Sequence, residues 1–142
     1  MPKVKIEDGR GIVVTGGTGL FINGSNVTCQ GAAIDQTVLT TELKDISTAS
    51  ETFVISPHAG NLAAVYSIID GAISSSDATL TIKVGGTTVG TITVTQSGSA
   101  AKDVDSATSL TQAVTAGQAI EIETDGASSG TVKVNLTLVI ER

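Results

Sequence analysis

Cys29 is the sequence's one cysteine, which excludes an intrachain disulfide framework and any zinc site built from several cysteines. Histidine is equally scarce, with His58 alone. Tryptophan is absent, and Phe21, Phe53 and Tyr66 are all the aromatic residues in 142. No apolar run approaches the ~18 residues of a membrane-spanning helix. Residues 1–8 lack the apolar stretch of a secretory leader. The expectation is a soluble protein made in a reducing cytosol. Positive charge is also short: eight Lys and Arg stand against fourteen Asp and Glu, a net charge of −6. Scattered cations on an acidic chain cannot displace counterions from phosphates, so neither nucleic acid nor membrane is expected as a partner.

Threonine and glycine are plentiful, at 21 and 16 residues, against eight Leu and one Met. β-Branched side chains fit a pleated sheet and glycine fits turns. Val, Ile, Leu and Phe together number 39, enough for a packed core. The fold class that follows is all-β.

Periodicity is clearest in the second half. Ala78–Val84 alternates apolar and polar without exception, the pattern of a half-buried strand. Gly85-Gly86 can turn it into a tight hairpin. On the return strand Val89 sits out of phase with Ile92 and Val94, which predicts a β-bulge at Gly90-Thr91 that sets Ile92 opposite Leu80. Ile120 and Ile122 alternate with Glu121 and Glu123. Val132, Val134, Leu136, Leu138 and Ile140 share one face of a long strand. In Leu62–Ile69 both faces are apolar: Leu62, Ala64, Tyr66 and Ile68 on one, Ala63, Val65, Ser67 and Ile69 on the other. Something should cover the second face, either a neighbouring subunit or the amino-terminal segment.

Residues 1–50 are less regular, with short runs such as Ile12-Val13-Val14 and Leu20-Phe21-Ile22 between glycines. Leu39, Leu43 and Ile46 have helical spacing, yet Thr37, Thr40 and Thr41 disfavour a helix, so the segment reads as strand or irregular. A domain boundary is expected near residue 50.

Reactive constellations are weak. Val14-Thr-Gly-Gly-Thr-Gly-Leu20 mimics a dinucleotide-binding turn, but Ile22 stands where the third glycine belongs and no βαβ pattern follows. Ser56 and His58 lack the orienting carboxylate of a nucleophilic dyad. Asp103 and Asp105 are too few for calcium, which wants six to eight oxygens. Glu121 and Glu123 read as charges that keep one sheet face in water. No catalytic residue, cofactor or metal is expected, and the chain is not expected to be an enzyme.

Phe53-Val-Ile-Ser-Pro-His-Ala-Gly60, Ala78–Gly86, Val114–Gly126 and Gly130–Ile140 resemble segments of tailed-bacteriophage virion proteins, the head decoration (cement) proteins and related head-fibre modules. The resemblance implies a jelly-roll-like antiparallel β-sandwich over residues 51–142. It implies a homotrimer on the outer capsid surface of the virion, with the major capsid protein as partner. A receptor- or carbohydrate-binding module of a phage tail or head fibre is the alternative. Residues 1–50 are then a Gly-rich β-arm or hairpin region for capsid attachment. Candidate interface residues are Ile12, Val13, Val14, Leu20, Phe21 and Ile22 in the arm, and Val65 and Ile69 in the two-faced strand.

Overall fold

The computed structural model describes residues 36–142, together with the backbone of two short paired strands, β1 (Thr28–Cys29) and β2 (Ala32–Ala33). Eight longer strands follow: β3 (Gln36–Leu43), β4 (Ser50–Ile55), β5 (Gly60–Ile69), β6 (Ala78–Val84), β7 (Thr87–Val94), β8 (Val104–Val114), β9 (Ala119–Thr124) and β10 (Val134–Glu141). They form two four-stranded antiparallel sheets, ordered β3-β10-β5-β8 and β4-β9-β6-β7. Counted from β3, these orders are first-eighth-third-sixth and second-seventh-fourth-fifth. That is the strand arrangement of a jelly roll, in which the chain crosses between sheets at nearly every connection. The protein is an all-β sandwich of the expected kind.

The alternating strands dictate the core. Leu80, Ile82, Ile92, Ile120 and Ile122 on one sheet meet Leu62, Val65, Leu136, Leu138 and Ile140 on the other, all essentially without solvent contact. Each such side chain stabilises the fold by roughly 1.5–3 kcal/mol through burial. The β6–β7 hairpin turns at Gly85 and Gly86, whose φ values of 59° and 79° are those of a two-residue turn with both central residues left-handed. Leu80 opposes Ile92 and Ala78 opposes Val94, as the phases required. The bulge lies one residue earlier than expected: Gly90 opposes Ile82 and Thr88 opposes Lys83, so Val89 is the inserted residue. The bare Gly90 leaves room for the half-buried Leu110, whose Cδ2 would lie 2.9 Å from a Cβ there.

The expected boundary near residue 50 is corrected. Gln36–Leu43 pairs with β10 over its whole length and is an edge strand of the sandwich. Of its inward positions, Thr37, Leu39 and Thr41 are half-buried and Leu43 is buried. Among the described residues the sandwich therefore includes 36–50, and Leu43 and Ile46 belong to its core. The turn after β3 is held by Asp45, whose Oδ1 accepts from the Ser47 amide at 2.9 Å and from its hydroxyl at 2.6 Å. Val132, expected within the last strand, is buried just ahead of it, with its carbonyl accepting from the Ile46 amide at 2.9 Å.

Candidate interaction surface

The outer face of the β3-β10-β5-β8 sheet is shaped by one inserted residue. Val139 of β10 opposes Ala64 and Ile140 opposes Leu62, which leaves Ala63 unpaired as a bulge. The insertion reverses the side-chain phase within β5. Leu62 points inward together with Val65, Ser67 and Ile69, and all four are buried. Tyr66 and Ile68 point out, 40% and 37% exposed. Val65 and Ile69, expected at an interface, are therefore core residues with 0% and 1% exposure. The apolar face open to solvent is the opposite one.

Cross-strand register completes that face. Ile68 stands between Asn135 of β10 and Val104 of β8, and Tyr66 between Thr137 and Ser106. Val104 is 61% exposed. Further along, Ala64 stands between Val139 and Thr108, and Val139 is opposite Val38, itself 58% exposed. Tyr66 separates two shallow depressions. One, of about 300 Å³, is lined by Ile68, Val104, Asn135 and Thr137. The other, of about 410 Å³, is lined by Ala63, Ala64 and Val139 and by two polar residues, Gln36 and Glu141. Those two are joined by a 3.1 Å hydrogen bond from Gln36 Nε2 to Glu141 Oε1. The surface offers apolar area with hydroxyl, amide and carboxylate groups beside it. It can bind by contact and hydrogen bonding.

The residues weighed for chemistry do not converge. Ser56 is buried, and its hydroxyl donates to the His58 main-chain oxygen at 2.6 Å rather than to the imidazole. His58 is exposed on the turn. Asp103 Oδ2 accepts from the Ala100 amide at 2.7 Å and closes the loop before β8. Asp105 has its pKa raised by burial and, secondly, by the charge of Asp103. Glu121 and Glu123 both bind Lys83 Nζ, at 3.1 Å and 2.5 Å, across the outer face of the second sheet. These hydrogen bonds, to Glu123 first and Glu121 second, raise the Lys83 pKa. No group of three or more His, Cys, Asp or Glu able to hold a metal occurs among the described residues. Ile12, Val13, Val14, Leu20, Phe21 and Ile22 lie outside the described residues.

Exposed Tyr66 and Phe53, at 40% and 52%, are the aromatic side chains that a sequence with three aromatics would be expected to bury. No signal in the sequence marks Tyr66 as exposed: Ser67 beside it, the polar member of its row, is the buried residue.

No family model matches the chain, and no curated protein does. Among solved structures the chain is similar to the Clostridium stercorarium carbohydrate-binding module CsCBM6-3, solved in complex with cellobiose. Identity is 17%, coverage 83% of this chain and 94% of that one, and the TM-score 0.46. It is also similar to a subunit of Bacillus endospore appendages, described as disulfide-linked pili. There identity is 15%, coverage 82% and 98%, and the TM-score 0.27. Neither likeness is close enough to speak for a ligand or a partner.

Proposed function

We propose that this protein is a structural component of a bacteriophage virion, decorating and stabilising the outer capsid surface as a homo-oligomer, with the major capsid protein as partner. A homotrimer is the state that the sequence resemblance implies. The observation that supports this reading is the open apolar row of Tyr66, Ile68 and Val104 on a sheet whose other face already completes a core. Apolar groups grouped on one face mark a surface that binds another macromolecule. The jelly roll supports it more loosely, since capsid and lectin domains both use that fold.

A second reading, a receptor- or carbohydrate-binding module of a tail or head fibre, is favoured by one specific observation. Tyr66 stands between two depressions with Asn135, Thr137, Gln36 and Glu141 within its surroundings. An aromatic ring flanked by hydrogen-bonding side chains suits a sugar, whose faces are apolar and whose rim is hydroxylated.

Co-sedimentation with emptied capsids of the phage that encodes the chain tests the first reading. Binding that raises the capsid melting temperature, and that is lost in Tyr66→Ser/Ile68→Ser, is the expected result. Failure to bind capsids, with saturable glycan binding that Tyr66→Ala abolishes, would replace it with the second.

A further inference from the structure

A sandwich of two four-stranded sheets has four edge strands, here β3 and β8 in one sheet and β4 and β7 in the other. Among the described residues each leaves main-chain N–H and C=O groups without a strand partner, a template that proteins blunt with bulges, charges or proline. β7 is bent by the bulge at Val89. β8 is disrupted where Ser109 adopts a left-handed φ of 61° and its ladder with β5 slips. β3 is regular, but Gln36, Thr40 and Glu42 surround Val38 on its exposed face. β4 differs from all three. Ser50–Ile55 pairs with β9 in unbroken register, holds no lysine or proline, and exposes Phe53 and Ile55 at 52% and 54%.

The direction of its free main-chain groups is fixed by Ser56. The Ser56 amide donates to the Gln118 carbonyl at 2.9 Å, and its own carbonyl accepts from the Gly117 amide at 2.7 Å. Both groups thus face β9. Along an antiparallel strand the hydrogen-bonding direction alternates residue by residue. Ser50, Thr52 and Val54 therefore also turn to β9. Glu51, Phe53 and Ile55 turn their N–H and C=O to the open edge, where no other described strand meets them.

We infer that the open edge of β4 pairs with β4 of a second copy of this chain, antiparallel, about a two-fold axis at Phe53. In that register Phe53 lies opposite the second copy's Phe53, and Glu51 opposite Ile55 in both directions. Every residue with outward main-chain groups then meets another such residue, giving about six inter-chain hydrogen bonds. The two phenyl rings become a cross-strand aromatic pair on one face, a favourable combination. The two Glu51 carboxylates stay four residues apart along the strands, roughly 13 Å, so like charges do not oppose. An edge that is regular, uncharged at its centre and self-complementary in register fits its own copy, and the two-fold uses one patch twice. The pairing fuses two β4-β9-β6-β7 sheets into one of eight strands. It does not depend on the capsid reading.

Sedimentation of the full chain, with site-resolved amide exchange, tests the pairing. Phe53→Pro removes an N–H that β9 does not use, so the sandwich still unfolds cooperatively while the solution mass falls twofold. The Phe53 and Ile55 amides exchange slowly at high concentration and fast on dilution, whereas the Val54 amide is slow throughout. Phe53→Lys/Ile55→Lys keeps the test open should the proline variant fail to fold, and the same halving is expected. Tyr66→Ser leaves the pairing intact. A wild-type mass that neither variant changes would overturn the inference. So would concentration-independent protection of Phe53 and Ile55, which would mean that the chain covers its own edge.

Discussion

Gly60, the first residue of β5, lies against the end of β10: a Cβ on it would stand 2.5 Å from the carbonyl oxygen of Glu141 and 2.8 Å from Ile140 Cγ2. The obstacle is main chain paired in the ladder, which cannot swing away as a side-chain tip can. Gly60→Ala should cost about 1–3 kcal/mol or more, the range for forced overpacking. Gly86 is the contrast, with φ 79° and nothing within 4 Å of a Cβ. Gly86→Ala carries only the conformational cost of a left-handed residue, about 1–2 kcal/mol. Urea unfolding of both variants measures each; equal stability of Gly60→Ala and wild type would refute the packing argument.

Ser56→Ala should destabilise the chain by about 1 kcal/mol, because the His58 main-chain oxygen loses its buried donor. His58→Ala should stay within about 0.5 kcal/mol, as its side chain is exposed. Neither should alter capsid or glycan binding once corrected for the folded fraction. Loss of binding in a fully folded His58→Ala would make this turn functional.

Two carboxylates should give pH dependences of opposite sign. Asp45 is held below the ordinary 3.8 by the Ser47 hydroxyl first and the Ser47 amide second. A depressed folded pKa stabilises the fold above the unfolded value, and the benefit disappears as pH falls through the folded one. Asp45→Ala should therefore lower Tm near neutrality, with the difference fading in acid. Asp105 is raised, by burial and then by Asp103. Its folded form prefers the proton, so its ionised state destabilises the fold above that raised pKa, and acid relieves the penalty. Asp105→Asn should raise Tm slightly at pH 7, the gain shrinking as pH drops. Thermal melts across pH 3–8 check both signs.

Much of the second half was legible because strict alternation has one structural meaning: Ala78–Val84 has a single solution as a half-buried strand. The bulge in β7 followed from the clash of phase between Val89 and Ile92, though not its position at Val89, one residue ahead of Gly90. β3 was harder to read. Leu39 and Leu43 are four apart, which suits both helix and strand, and only pairing with β10 resolves it. The face of β5 that stays open to solvent was read inverted. A strand apolar on both faces gives no sign of where its phase slips, and Ala63, as bland as its neighbours, carries the slip.

That slip yields the last prediction. Ala63 is the residue that lets Leu62 and Val65 face the same way although three positions separate them. Deleting it removes the bulge and leaves regular alternation in β5: Leu62, Val65, Ser67 and Ile69 still face inward, Tyr66 and Ile68 still face out, and Val139 and Ile140 of β10 meet Ala64 and Leu62 with no unpaired residue between them. No core side chain changes side, so the cost is confined to local adjustment of the ladder with β8, which slips at the same place. The deletion variant should therefore fold, destabilised by about 0.5–3 kcal/mol, the ordinary range for a single change. Ala63→Ser, which keeps the backbone count and adds one hydroxyl at a half-buried position, should be nearly neutral and should leave the Tyr66 face unchanged. Thermal unfolding of the two variants side by side decides it. A deletion variant that fails to fold would show that the sheet needs the bulge itself, and not only the side-chain phase that it sets.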